Sequence, residues 1–192
     1  MNRPTARQKS LKIAISQRES VIGGSALKHD CLAQVWYKFL SKHQIIPIPN
    51  VDVDYVYDFD MLILSGGNFS FPRFHTELKL YNHAMDNNLP ILGVCHGAFF
   101  IAELTGAHCE DIDGHRGFDH VIELEGEEVV VNSWHGSTIK SLGPDYTAIG
   151  VDSENNIEAF KHNYKPIWGL LWHPEIMVNP VLPKELAELL KI

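Results

Sequence analysis

The sequence predicts an α/β fold: a three-layer sandwich whose mostly parallel sheet carries helices on both faces and antiparallel strands at its edge. Short apolar runs with little polar alternation, at 12–17, 45–49, 60–64, 91–94 and 167–172, read as strands buried on both faces. Segments with apolar residues at helical intervals, 26–42 and 74–87, stand between them, which is the rhythm of β-α-β units. After Thr105 that rhythm gives way to consecutive extended runs, which predicts antiparallel pairs added at the sheet edge.

Taken in order, the first strand ends in the polar Gln17-Arg18-Glu19-Ser20 and a Gly23-Gly24 turn. Leu27, Cys31, Val35 and Phe39 recur at helical spacing, so a helix over 26–42 is expected to return the chain to the strand 45–49. The strand 60–64 runs into Ser65-Gly66-Gly67-Asn68, and a helix over 74–87 follows with Leu78, Tyr81 and Met85 on one face. Extended runs at 120–124, 129–133, 148–150 and 157–160 form the antiparallel part. The last core strand delivers His173-Pro174-Glu175, and a terminal helix over 184–191 starts after Pro183.

A chain of 192 residues with 45% hydrophobic content fits one well-packed domain, 11–192, behind a loose basic tail, 1–10. A net charge of −8 argues against a nucleic-acid surface, which needs clustered Lys and Arg. Cys31, Cys95 and Cys109 are an odd number without framework spacing, so a reducing, cytoplasmic setting is expected in place of a disulfide scaffold. The apolar run 11–15 is interrupted by Lys12 and is too short for a signal peptide, and no stretch is long enough to span a bilayer.

The stretch around which the chain is organised is Pro90-Ile91-Leu92-Gly93-Val94-Cys95-His96-Gly97, followed by the apolar-periodic Phe99, Phe100, Ala102 and Leu104. Strand, sharp turn and helix, with the Cys between glycines two residues away on each side, is the pattern of a nucleophile elbow, whose crowded turn has no room for side chains at those positions. The following helix directs the positive end of its dipole at the sulfur, which favours the reactive thiolate.

Two further stations fall at strand ends on the same rim, together with Gln17-Arg18. His173 and Glu175 are two residues apart, so in an extended segment the carboxylate stands on the side of the imidazole and can orient it. Gly66-Gly67 can offer a backbone N–H to a developing oxyanion, and the N–H of His96, next to the nucleophile, is the second donor.

Leu64-Ser65-Gly66-Gly67, Gly93-Val94-Cys95-His96-Gly97 and Trp172-His173-Pro174-Glu175, in that order, resemble the class I glutamine amidotransferase family. Val131-Asn132-Ser133-Trp134-His135 and Asn156-Ile157-Glu158-Ala159-Phe160 are similar to its γ-glutamyl hydrolase branch, which includes the γ-glutamyl-γ-aminobutyrate hydrolases. A narrower similarity, in Ile15-Ser16-Gln17-Arg18, in 31–36 and in 157–162, is to γ-glutamyl-CDP-amidate hydrolases of bacterial surface-polysaccharide synthesis. The resemblance runs from Ile13 to Glu175 and implies a flavodoxin-like fold. It implies a triad of Cys95, His173 and Glu175, an oxyanion hole from the Gly67 and His96 backbones, and substrate binding by Gly66 and a glutamyl-holding loop at Ser133, Trp134 and His135. No metal and no organic cofactor is required by that chemistry. His96 departs from the family, where Arg or Leu is usual, as does Leu171, where Gln is frequent.

Other polar residues read as structural. His108-Cys109-Glu110-Asp111 with Asp113, His115 and His120 holds ligand types, but its spacing fits no common zinc pattern, so a polar loop is expected. Arg73 and Glu77, one turn apart, read as a helix-surface ion pair. The expected activity is hydrolysis of a small-molecule γ-glutamyl amide through a γ-glutamyl thioester, with His96, Trp134 and His135 lining the leaving-group side. The alternatives are a glutaminase subunit passing ammonia to a separate synthase, and a non-catalytic DJ-1-like protein on the same scaffold.

Overall fold

Alternation inside each apolar run decides the layering, because successive residues of a strand face opposite sides. In the computed structural model, which describes residues 10–21, 23, 27–51, 58–113 and 115–192, the elements in chain order are β1 (Lys12–Ser16), β2 (Arg18–Val21), β3 (Lys28–Cys31), α1 (Val35–Phe39), β4 (Gln44–Ile48), β5 (Met61–Leu64), α2 (Phe71–Asp86), β6 (Ile91–Val94), α3 (His96–Leu104), β7 (His108–Asp111), β8 (Arg116–Leu124), β9 (Glu127–Trp134), β10 (Ser137–Ser141), β11 (Tyr146–Asp152), β12 (Ile157–His162), β13 (Ile167–Leu170) and α4 (Lys184–Leu190). Ile13, Ile15, Met61, Ile63, Leu92 and Val94 pack on one face with Trp36 and Leu40 near α1 and Leu186 and Leu190 of α4. Ala14, Leu62, Leu64 and Ile91 pack on the other with Leu80, Ala84, Ala98 and Ile101 of α2 and α3. Each fully buried Leu or Ile contributes about 1.5–3 kcal/mol, so this two-sided burial is what holds the three layers together.

The main sheet runs β4-β1-β5-β6-β13-β12-β11-β8-β9, with β10 pairing β12 and β7. The pairs among β4, β1, β5, β6 and β13 are parallel, and those from β13 to β9 are antiparallel, as the change of rhythm after Thr105 predicts.

Three local departures have physical causes. The helix expected over 26–42 contracts to α1, because Arg18–Val21 and Lys28–Cys31 pair as an antiparallel hairpin. The hairpin is tied to the sheet by Asp30, whose carboxylate accepts from the Asn50 backbone at 2.8 Å and from its side chain at 2.7 Å. Helix α2 begins three residues early, since Ser70 caps it by accepting from Arg73 N and Pro72 suits its first turn. The polar stretch 108–111 is a strand, not a loop, because it pairs with β10. Gly24, the start of the expected helix at Ala26, and the tail except Ser10 lie outside the described residues. No helix among the described residues is long and apolar enough to cross a membrane.

Candidate active site

Strands β5, β6 and β13 are neighbours in the parallel sheet, so the residues after their carboxyl ends converge on one rim. Those residues are Ser65-Gly66-Gly67, Cys95, and His173 with Glu175. Cys95 joins β6 directly to α3 with φ +49° and ψ −106°, an uncommon conformation for a residue with a side chain. Its N–H donates to Leu170 O at 2.8 Å, which anchors the turn to β13. The flanking glycines are required by close approach: a Cβ on Gly93 would meet Gly97 O at 2.5 Å, and one on Gly97 would strike the Leu64 carbonyl. His96 is the first residue of α3, so its N–H has no acceptor within the helix.

Glu175 Oε1 stands 2.7 Å from His173 Nδ1. The His173 backbone is held on both sides by Asn132, whose side-chain amide donates to His173 O at 2.8 Å and accepts from His173 N at 2.9 Å. Burial pulls the imidazole pKa down, but hydrogen bonds with Cys95 and Glu175, and their charges, outweigh it and push the value up to about 10. These contacts with Cys95 and Glu175 favour the protonated imidazole of His173. Gly66 lies against it so closely that a Cβ there would collide with the ring.

The Gly66-Gly67 turn rests on a buried ionic network. Arg73 and Glu77 of α2 both have 0% side-chain exposure, so the pair is not the surface contact that the spacing predicts. Arg73 donates to Ser65 O at 2.5 Å and to Gly66 O and Asn68 O at 3.4 Å, and its Nε donates to Glu77 Oε1 at 2.9 Å. Glu77 also accepts from Ser16 Oγ at 2.7 Å, and its Oε2 stands 3.1 Å from His96 Nε2. Burial pushes the Glu77 carboxyl up, yet the His96 hydrogen bond, the Arg73 guanidinium and Ser16 outweigh it and hold the pKa below the usual value. One pair of side chains thus ties together the Gly66-Gly67 turn and the residue following Cys95.

A cleft of about 340 Å³ opens over Cys95, His173 and Glu175, lined by Gly66, Gly67, Asn68, Arg18, Cys31, Leu32, Trp36 and Trp134. Of the loop residues singled out in the sequence, Trp134 lines this cleft and is 57% exposed. Ser133 and His135 are buried on other partners: Ser133 Oγ donates to His115 O at 2.6 Å, and His135 Nδ1 lies 2.8 Å from Ser137 O. The two-residue period of β9 sends Asn132 and Trp134 toward the cleft and their neighbours away from it. The His96 side chain is likewise drawn off to Glu77, so Trp134 alone of the three expected leaving-group residues lines the cleft. Arg18 is at the cleft because β1 lies next to β5, while Cys31 and Trp36, assigned no part in the site from sequence, reach it through the β2–β3 hairpin and α1.

Residues 29–191 match the family described as Glutamine amidotransferase class-I. The chain is 32% identical over 179 residues to a γ-glutamyl-CDP-amidate hydrolase of Campylobacter jejuni, covering 85% of this chain and 89% of that protein. It is 31% identical over 142 residues to a subunit of the glutamine-hydrolyzing GMP synthase of Picrophilus torridus, covering 67% and 74%. Among solved structures, a GMP synthase subunit from Thermoplasma acidophilum superposes with a TM-score of 0.68 at 24% identity, covering 88% of this chain and 86% of that one. A glutamine amidotransferase from Thermotoga maritima gives 0.67 at 15% identity, covering 88% and 78%. With the elbow, the strand order and a family match over most of its length, the chain belongs to the class I glutamine amidotransferases.

Proposed function

We propose that the protein hydrolyses a γ-glutamyl amide whose amine half is larger than ammonia and carries negative charge. Cys95 Sγ attacks the γ-carbonyl carbon, and the resulting oxyanion is held by the N–H groups of Gly67 and His96. As the C–N bond breaks, the His173 imidazolium gives its proton to the departing nitrogen, leaving a γ-glutamyl thioester on Cys95. A water molecule then adds to the thioester carbon while neutral His173 takes its proton. Collapse of that adduct releases glutamate, and the proton returns the Cys95–His173 pair to its starting form. Glu175 keeps the imidazole oriented through both halves.

The observation that carries this reading is the lining of the cleft: beside Cys95 it presents the exposed Trp134 ring and the exposed Arg18 guanidinium. Ammonia needs none of these, whereas a phosphorylated or carboxylated amine would use the cation and the aromatic surface to align its γ-carbonyl. The similarity to a γ-glutamyl-CDP-amidate hydrolase points the same way. A second reading, a glutaminase that serves a separate synthase, is favoured by the relatives that are GMP synthase subunits. The test is kcat/KM of purified protein, without a partner, for glutamine against neutral γ-glutamyl amines and γ-glutamyl phosphoramidates. The proposal expects the anionic conjugates to be best and to lose their advantage in Arg18→Gln. Glutamine as the best substrate, or activity only on adding a synthase, replaces it with the second reading.

A further inference from the structure

Behind the strand that carries Trp134, three buried or half-buried histidine rings converge on a carboxylate that has no hydrogen bond. Glu158 has 0% exposure, and both of its oxygens are buried without a hydrogen-bond partner, as are His115 Nδ1 and His120 Nε2. A buried carboxylate without a hydrogen bond is strongly disfavoured. His115 Nδ1 stands 3.5 Å and His120 Nε2 3.7 Å from Glu158 Oε1, and His135 Nε2 stands 3.4 Å from Oε2. These separations exceed the length of a charge-assisted hydrogen bond, about 2.7–2.9 Å. They approach the spacing of two ligands on one tetrahedral ion, about 3.3–3.4 Å for metal–ligand bonds of about 2.0–2.1 Å.

The ring nitrogens are also set for metal binding. His135 Nδ1 donates its hydrogen to Ser137 O, which leaves a lone pair on Nε2 facing Glu158. Ser133 Oγ, 3.1 Å from that nitrogen, has its own hydrogen committed to the His115 carbonyl and does not satisfy it. His115 turns Nδ1 to Glu158 and Nε2 toward Asp152 Oδ2 at 3.7 Å, the outer carboxylate that commonly orients a ligating imidazole. A cavity of about 400 Å³ lined by His115, His120 and Asp152 gives an ion a way in.

We propose that His115, His135 and Glu158 hold a divalent transition-metal ion of the zinc type, with water completing its coordination, at a site separate from Cys95. The donor atoms of the three lie within 4.8 Å of one another. They come from the segment before β8, the end of β9 and β12, so the ion joins three pieces of chain and acts as a clamp with no part in the bond-breaking steps. Glu158 O also accepts from Leu171 N at 2.9 Å, which connects the clamp to the strand leading to His173.

The test uses chelator-treated full-length protein carrying Cys95→Ala, which removes the thiol beside the His173 imidazole and leaves the proposed ligands intact. Zn²⁺ is titrated in competition with a chromophoric chelator, and Co²⁺ is titrated while visible ligand-field absorption is recorded. The expected result is one equivalent of either ion, tetrahedral Co²⁺ bands without a thiolate charge-transfer band, and a higher Tm with Zn²⁺ than without. Glu158→Gln should abolish the absorption; if that variant does not fold, His115→Gln, at the rim of the cavity, should weaken Zn²⁺ binding by about 10-fold or more. Failure of the Cys95→Ala protein to take up either ion, or unchanged affinity in the ligand variants, overturns the site and leaves an ion-pair cluster. Neither result depends on which substrate the enzyme prefers.

Discussion

Replacing Glu77 by Leu removes the carboxylate that meets Arg73 Nε at 2.9 Å, Ser16 Oγ at 2.7 Å and His96 Nε2 at 3.1 Å. Arg73 has no exposed side-chain surface, so the guanidinium left behind cannot recover water. Breaking a buried pair in this way costs about 3–5 kcal/mol. For a chain of this size each kcal/mol moves Tm by about 2–4 °C, so a fall of about 6–20 °C is expected. In Arg73→Met/Glu77→Leu both charges leave together, and most of that stability should return. Turnover should not return with it. Ser65, Gly66 and Asn68 lose the donor shared by their carbonyls, and His96 loses its anchor, so both proposed oxyanion donors drift; a displacement of about 1 Å costs on the order of 10²-fold in rate. Thermal denaturation followed by a steady-state assay on a γ-glutamyl amide separates the two effects. A single variant melting within a degree or two of the parent would refute the buried-charge argument, and a double variant with full turnover would refute the positioning role.

Cys95→Ala and Cys95→Ser should abolish turnover with the fold intact, and a glutamine-derived chloroketone should label Cys95 in the parent; label on Cys31 or Cys109 with Cys95 untouched would remove Cys95 as the nucleophile. Glu175→Gln should lower kcat by roughly 10²- to 10⁴-fold with modest change in KM, as an interaction made mainly in the transition state does; unchanged kcat would take Glu175 out of the mechanism. The His173 ring resonances should titrate near pH 10 in the parent and at lower pH in Cys95→Ala, because the Cys95 hydrogen bond is the largest of the raising influences. A raised folded-state pKa adds stability that is complete below the ordinary value of 6.5 and is lost as pH climbs through about 10. The urea midpoint of the parent should therefore decline across that window, and more steeply than that of Cys95→Ala; parallel curves would contradict the coupling.

The parts of the candidate site whose geometry is legible in the sequence are those in which local spacing and close approach coincide. Gly93 and Gly97 flank Cys95 at the two places where a Cβ would strike backbone, so the turn is written in five consecutive residues. His173 and Glu175 are two apart, but Pro174–Ile176 is a 3₁₀ turn and not the extended segment that strand alternation requires, so their 2.7 Å contact comes from that turn and from the hold of Asn132 on the His173 backbone. Strand alternation applied to β9 separates Trp134 from Ser133 and His135. Treating the three as one loop obscures this, since a motif match carries no information about which face each side chain takes. The helix expected over 26–42 fails differently: four apolar residues at four-residue spacing satisfy the helical template, while the Asp30–Asn50 contact that holds β3 extended lies 20 residues further along the chain.

Arg73 and Glu77 show why the remainder was out of reach. An i, i+4 pair has the same sequence pattern on a wet helix face as on a buried one, and what distinguishes the two here is Ser16 at the end of β1 and the Ser65 carbonyl at the end of β5. Tertiary pairing also makes the His115, His135 and Glu158 cluster. The antiparallel register sets Arg116 opposite Trp134, so His115 and His135 fall side by side one step beyond that pair, where His135 N donates to His115 O at 3.1 Å. Glu158 arrives on β12, whose backbone is fixed by Leu171 beyond β13. Three residues from three well-separated segments have no spacing to recognise. Their relation is a property of strand register, and a one-residue slip between β8 and β9 would send either histidine to the opposite face. That dependence gives the proposed clamp a physical purpose: an ion bound only when the register is correct favours the pairing that also delivers Asn132 to His173 and Trp134 to the cleft.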